Sequence, residues 1–437
     1  MSGLLFCLAL AAPQPALAAD VVRETRRSWD AYVHYAWGHD ELRPLTRTGF
    51  DWYAHPLFMT GLDAYDTLRV MGLDGEARRV EDYVDHTLSF DDDMYVKTFE
   101  ISIRLLGSLD AMYDLTGDPL VLSKARDLGD RLLRAFASPS GLPYYYVNLK
   151  TGATKGTVIC AAEAGSYIFE FGALSRFTRD PKYYRAAKRA SERVYGTRSA
   201  IGLIGKDYDV TTGAGLDHDS LCGCYVDSYY EYLYKGWRLL GDPELKAMWD
   251  TSIAAVNRYL AAQRGGKIWY GMADSVTGRL TGTSVTLWDA YFPALLIYAG
   301  HPWHGERAFA AWDGLWRQYG LLPMEYDFGT GKVTNPRYYL NPELMESCYY
   351  MIKLAGRPEY AADMRQYYAD LKRHCRNDVA YSQIADVATM RQEDALPSFF
   401  FAETLKYLYL GFAQPAAYDF QHVVFSTEAH PLRPFAP

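Results

Sequence analysis

Carboxylic acids recur in this sequence at a similar remove before a repeated turn. Glu100 lies 19 residues before Pro119, Glu163 lies 18 before Pro181 and Asp227 lies 16 before Pro243. Asp289 lies 13 before Pro302, Glu343 and Glu346 lie 15 and 12 before Pro358, and Glu403 lies 12 before Pro415. Taken singly, each is explained by the helix dipole, which favours an acid near a helix start by about 0.3–1 kcal/mol. As a set they sit inside apolar and aromatic runs: Thr98-Phe99-Glu100-Ile101, Asp227-Ser228-Tyr229-Tyr230-Glu231-Tyr232 and Phe399-Phe400-Phe401-Ala402-Glu403. A capping acid precedes the apolar run. An acid within the run faces the interior, where an unpaired carboxylate is costly. Clustered carboxylates must share protons, bind a cation or pair with a base. Arg104, four residues after Glu100 on the same helix face, is one such partner. A concave site of carboxylates and aromatics suits glycoside hydrolysis. One carboxylic acid protonates the leaving oxygen, and a second carboxylate activates water or attacks directly. Crowding pushes their pKa values apart, so both roles coexist near neutral pH. Hard oxygen ligands without a cysteine or histidine cluster suit calcium rather than zinc.

The elements that position these acids are helices. Apolar residues recur at three- and four-residue spacing, as in Val121 to Leu128 and Ala361 to Leu371. The turn Thr116-Gly117-Asp118-Pro119 returns as Thr178-Arg179-Asp180-Pro181, Leu240-Gly241-Asp242-Pro243, Ala299-Gly300-His301-Pro302 and Ala355-Gly356-Arg357-Pro358. Diverged copies lie at Met71 to Gly75 and Phe412 to Pro415. Glycine closes a helix, aspartate caps the next and proline fits its first turn. The five intact prolines are 62, 62, 59 and 56 residues apart, one helical hairpin plus a connection per unit. Seven units predict an all-α fold, an (α/α)7 barrel in which the first helices gather their acids at one mouth. An open solenoid is the alternative. It would need polar capping units, whereas the last unit, Ser398 to Leu410, is among the most apolar.

Composition agrees. The chain of 437 residues has 53 acids against 45 bases, a net charge of −8, and 66 aromatic residues, 37 of them Tyr. An acidic chain lacks the basic patches that nucleic-acid binding requires. No apolar run is long enough to span a bilayer. Leu4 to Ala12 followed by Ala16-Leu17-Ala18-Ala19 reads as a secretory leader over residues 1–19, leaving 20–437 as a single catalytic domain that is exported, periplasmic or extracellular. Five cysteines then remain, an odd number. They read as buried thiols, with Cys348 and Cys375 as the one pair open to a disulfide.

Specific motifs now come together. Ala36-Trp37-Gly38-His39-Asp40-Glu41-Leu42-Arg43-Pro44, Phe99-Glu100-Ile101-Ser102-Ile103-Arg104-Leu105-Leu106-Gly107 and Asp227-Ser228-Tyr229-Tyr230-Glu231-Tyr232-Leu233 lie in the first half of the chain. Pro342-Glu343-Leu344-Met345-Glu346-Ser347, Ser398-Phe399 with Ala402-Glu403-Thr404-Leu405-Lys406-Tyr407, and Phe425-Ser426-Thr427-Glu428-Ala429-His430-Pro431 follow. From about Thr25 to Pro431 the chain resembles glycoside hydrolase family 47, the class I α-mannosidases.

The resemblance implies an (α/α)7 barrel, calcium dependence and exo-hydrolysis of terminal α-1,2-linked mannose with inversion. It makes Glu100 the general acid, acting directly or through a water, Glu343 the general base and Asp227 a third essential carboxylate. It gives Thr427 to calcium through its hydroxyl and carbonyl. Glu163, Glu346, Glu403 and Glu428 would hold calcium-bound waters or sugar hydroxyls, with Arg104 beside them, and Phe399 would pack on the terminal sugar. The chain departs from the family pattern at Asn341, where an arginine contacting outer sugars is usual, at Trp288 in place of a histidine, and at Ser426 before the calcium threonine. An active mannosidase with altered specificity is the reading. A mannose-binding, lectin-like member of the same fold with little turnover is the alternative.

Overall fold

Each repeated turn forms as its residues dictate. Gly117 takes a left-handed φ of 69°, which ends its helix. The Asp118 side chain accepts from the Leu120 amide at 2.8 Å, and Pro119 opens the next helix. Gly241, Asp242 and Pro243 repeat the arrangement. At the copy before Pro181, Arg179 adopts the left-handed conformation instead, with φ 57°.

The computed structural model describes residues 12–435. In chain order the helices are α1 (Pro15–Tyr35), α2 (Met59–Val70), α3 (Asp74–His86), α4 (Thr98–Ile101), α5 (Gly107–Thr116) and α6 (Pro119–Leu133). Then come α7 (Ala161–Gly165), α8 (Ile168–Thr178), α9 (Lys182–Gly196), α10 (Asp227–Leu240) and α11 (Pro243–Tyr259). The last are α12 (Phe292–Tyr298), α13 (Pro302–Tyr319), α14 (Glu343–Leu354), α15 (Pro358–His374) and α16 (Leu405–Ala413). A π-helical turn, Ser102–Leu106, joins α4 to α5, and another, Phe400–Thr404, runs into α16.

Helices α2, α4–α5, α7–α8, α10, α12, α14 and α16 form the inner ring of an (α/α)7 barrel. Inner helices are buried nearly all round: in α2 every residue but Arg69 is buried. Outer helices bury one stripe, as α9 does with Tyr183, Ala186, Ala187, Ala190 and Val194. Six outer helices follow their inner partners in sequence. The seventh does not. After α16, Gln414 takes the left-handed φ of 49° that the last turn predicts, yet among the described residues a short 3-10 turn and a β-hairpin follow instead of an outer helix. The outer partner of α16 is α1, from the opposite end of the chain. The Gln14 amide donates to the Phe412 carbonyl at 2.7 Å, and the Trp29 ring meets Phe401 edge-on at 6.1 Å. The toroid is thus closed by its two chain ends.

The connections at the acid-bearing end are long enough to pair into two- and three-stranded antiparallel ladders, such as Tyr95–Lys97 with Tyr146–Asn148 and Thr154–Lys155. The hairpin of Val424–Phe425 and Pro431–Leu432 enters the barrel, with Val424, Phe425 and His430 fully buried. Lys406 Nζ donates to the Ala429 carbonyl at 2.7 Å, and His430 Nδ1 lies 2.6 Å from Asp66 Oδ2. Burial draws the His430 pKa down, but Asp66 and Asp63 outweigh it and lift the imidazole to about 9.

Of the expected leader, residues 1–11, with Cys7, lie outside the described residues. Pro15–Ala19 form the first turn of α1, and Ala18 is buried. The five described cysteines are all free thiols, which corrects the disulfide open to Cys348 and Cys375. Both are wholly buried, and Cys348 Sγ donates to the Tyr360 carbonyl at 3.1 Å. Among the described residues no helix is long and apolar enough to cross a membrane.

Candidate active site

The barrel mouth holds a cavity of about 380 Å³. The residues that the resemblance assigns to chemistry or sugar binding all line it: Glu100, Arg104, Glu163, Asp227, Glu343, Glu346, Phe399, Glu403, Thr427 and Glu428. The toroid explains the convergence. Glu100 lies in the first turn of the second inner helix, Asp227 is the first residue of α10 and Glu343 the first of α14. All inner helices run the same way, so their starts meet. The two π-helical turns carry Arg104 and Glu403, and each adds a residue that shifts the following side chains around the helix.

Arg104 organises one wall. Its Nε donates to Glu100 Oε2 at 3.1 Å and its Nη1 to Glu428 Oε2 at 2.5 Å, while Asp63 Oδ2 lies 3.8 Å from Nη1. The guanidinium sits between aromatic faces, 5.3 Å from the Trp52 ring centroid and 5.7 Å from that of Phe399. Trp52 is fixed in turn by donating Nε1 to Glu41 Oε1 at 2.8 Å. Burial raises Glu41 to about 7, against the opposing pull of Trp52 and Arg104.

The opposing helices hold the other acids. Glu163 Oε2 accepts from the Cys160 amide at 3.1 Å, a capping contact that leaves its second oxygen for the cavity. Asp227 accepts from the Ser228 amide at 2.7 Å. Burial, with the Asp289 and Glu231 carboxylates near by, lifts Asp227 to about 7. Asn341 Nδ2 donates to Glu343 Oε1 at 3.2 Å, and Glu343 Oε2 is buried without a protein partner among the described residues. Burial pushes Glu343 well above the carboxylate range, with Glu346 and Asp227 adding to the shift and Asn341 opposing it. Glu346 Oε1 lies 3.3 Å from Lys235 Nζ and accepts from Tyr407 Oη at 3.3 Å. Burial raises it to about 7 despite Lys235. Burial and the neighbouring Glu428 raise Glu403 as well.

Some placements differ from the sequence reading. Asp289 does not line the cavity. It accepts from the Cys224 amide at 3.0 Å and from Thr286 Oγ1 at 2.7 Å, so it anchors the loop before α10. Asn341, at a position associated with outer sugars, is buried and tied to Glu343. Trp52, Trp288 and Glu231 also line the cavity. Glu231 had a visible signal, since Lys235 lies four residues on and the two pair in the interior. Trp52 had none, because its role depends on contacts from three distant segments.

The oxygens present suit a hard cation. Eight carboxyl groups and the Thr427 hydroxyl line the cavity against one arginine, and the Glu343 oxygen is orphaned. Among the described residues no three His, Cys, Asp or Glu side chains converge as a direct ligand set. Thr427 and the surrounding carboxyl oxygens are the groups of this lining that could hold such an ion.

Comparisons with known proteins agree with this fold. The model of Glycosyl hydrolase family 47 matches residues 24–434. Alpha-mannosidase I MNS5 of Arabidopsis thaliana is 33% identical over 435 residues, covering 93% of this chain and 75% of that protein. ER degradation-enhancing alpha-mannosidase-like protein 2 of Homo sapiens is 33% identical over 461 residues, covering 97% of this chain and 79% of that one. Among solved structures, the alpha-1,2-mannosidase from Trichoderma reesei matches with a TM-score of 0.90 at 26% identity, over 97% of this chain and 100% of that chain.

Proposed function

Because the chain belongs to glycosyl hydrolase family 47, we propose that this cavity removes terminal α-1,2-linked mannose from oligosaccharides by a calcium-dependent, inverting exo-hydrolysis. The enzyme is a glycoside hydrolase. The observation that carries the finer reading is the different setting of two acids in one cavity. Glu100 is held by the Arg104 guanidinium, whereas Glu343 accepts a neutral hydrogen bond from Asn341 and keeps its other oxygen buried among further acids.

Phe399, with Trp52 and Trp288 on the walls, packs against the apolar face of the terminal mannose. Glu343 is the base. It takes a proton from the water whose oxygen bonds to C1 of that sugar. Glu100 is the acid. It gives a proton, directly or through a water, to the glycosidic oxygen as the C1–O bond breaks. Arg104 orients Glu100 for that transfer while its other nitrogen holds Glu428. Asp227 is the third carboxylate, oriented by the Ser228 amide toward the same space. Thr427 would hold calcium through its oxygens, with Glu163, Glu346, Glu403 and Glu428 on its waters. Bound there, calcium would supply positive charge that favours the ionised form of the crowded carboxyls, Glu343 among them.

The test is hydrolysis of α-1,2-mannobiose followed by proton NMR. The first mannose formed is the β-anomer, chelation abolishes turnover and added calcium restores it. Glu343→Gln and Glu100→Gln each lose about 10²- to 10⁴-fold in kcat, the range for a general acid or base. A first-formed α-anomer defeats inversion. Mannose binding with no turnover to lose would favour the lectin-like alternative.

A further inference from the structure

Two buried polar side chains near the cavity take no part in the mechanism above. Tyr232 on α10 and Glu170 on α8 are each fully inaccessible, and neither lines the cavity. The Tyr232 hydroxyl donates to Glu170 Oε1 and accepts from the Thr427 amide at 3.2 Å. We propose that Tyr232 and Glu170 are positioning residues that fix the Thr427 peptide, and through it the oxygens offered to calcium. The proposal rests on the calcium reading given above.

Thr427 sits at the tip of the hairpin inside the barrel, where the backbone is irregular: Ala429 holds a left-handed φ of 57°. Its neighbours are anchored separately. Ser426 Oγ accepts from the Glu428 amide at 3.2 Å and the His430 amide at 3.1 Å, and Lys406 holds the Ala429 carbonyl. For the Thr427 amide the anchor is the Tyr232 hydroxyl. A hydroxyl has one proton. Glu170 takes it, so the oxygen lone pairs turn toward Thr427 and hold the amide side of the Ser426–Thr427 peptide, whose Ser426 carbonyl accepts from the Ala429 amide at 3.1 Å. Stability alone does not account for the arrangement. Glu170 Oε2 is buried without a hydrogen-bond partner among the described residues, and an unsatisfied buried polar atom is a cost to folding. A pair of apolar side chains would fill the same space without it.

Partners that orient a metal ligand are worth about 10- to 100-fold in metal affinity. The test is calcium titration by calorimetry on the full chain, with Tyr232→Phe, Glu170→Gln and Glu170→Leu. Tyr232→Phe binds calcium at least about 10-fold more weakly than the parent. Its turnover on α-1,2-mannobiose recovers at saturating calcium, because no group that touches substrate has changed. Glu170→Gln keeps an acceptor for the hydroxyl and stays near the parent affinity, while Glu170→Leu weakens it as Tyr232→Phe does. Should Tyr232→Phe fail to fold, the two Glu170 variants decide by the same comparison. Parent-like affinity in Tyr232→Phe, or equal affinities in the two Glu170 variants, overturns the relay and leaves calcium dependence standing. A parent protein that takes up no calcium overturns both.

Discussion

Asn341 donates its amide nitrogen to Glu343 Oε1 at 3.2 Å, and it is the one side-chain hydrogen bond that the proposed base receives among the described residues. An arginine is usual at this position in the family that the sequence resembles. Here the side chain is short, buried and turned to the base. A hydrogen bond to a charged group contributes about 1.5–3 kcal/mol, which corresponds to roughly one to two pKa units.

Removing that bond therefore moves the pH profile in a known direction. Asn341 favours the ionised form of Glu343, so Asn341→Ala raises the pKa of the base. The acidic limb of kcat/KM moves to higher pH by about one unit, and activity below the limb falls about 10-fold. Asn341→Asp places a second carboxyl beside the base and moves the limb further. Steady-state rates on α-1,2-mannobiose from pH 4.5 to 8 check both.

Much of this site could be read in the sequence, and what escaped has a physical reason. The turns at Pro119, Pro181 and Pro243 are local chemistry, so the hairpins they join were legible. Acids 12 to 19 residues before those turns lie near the starts of the inner helices and had to converge once the ring closed. Asp289 shares the offset, but its own loop takes up its oxygens, a competition that spacing does not show. The π-helical turns bearing Arg104 and Glu403 leave no mark in residue spacing. The link from Trp52 through Arg104 to Glu428 joins positions more than 300 residues apart and exists only after folding.

Arg104 is the member of that link least open to replacement. It spans Glu100 and Glu428 with separate nitrogens and lies between two rings, which an ammonium cannot reproduce. Arg104→Lys keeps the charge but loses one of the two carboxylate contacts, and kcat falls about 100-fold, within the range for misplacing a catalytic group. Arg104→Ala leaves Glu428 unpaired in the interior, a loss of about 3–5 kcal/mol. Kinetics on the first variant and urea unfolding of both separate the two effects.

The hairpin that carries Thr427 responds to pH through His430. The folded pKa, about 9, stands above the ordinary 6.5, because Asp66 and Asp63 outweigh the burial cost. A raised pKa means that protonation stabilises the fold. The contribution is fully present below pH 6.5 and is lost as pH rises through 9. Its size is about 3 kcal/mol. Unfolding free energy therefore declines between pH 6.5 and 9.5. His430→Gln is less stable at pH 6 and shows a flatter decline, which urea denaturation at the two pH values measures.

Ring closure by the chain ends makes α1 matter to the active site. Trp29 is buried to 1% exposure on α1 and meets Phe401, which lies two residues before Glu403 in the second π-helical turn. Trp29→Ala leaves a cavity between the last inner helix and its outer partner, at a cost of about 3–5 kcal/mol. Because the same packing holds the turn that presents Glu403, activity falls along with stability. A buried tryptophan on a helix that only covered the barrel would lower the melting temperature and leave kcat intact. Thermal unfolding and turnover measured well below the midpoint distinguish the two, and loss of both places α1 within the structure that shapes the site.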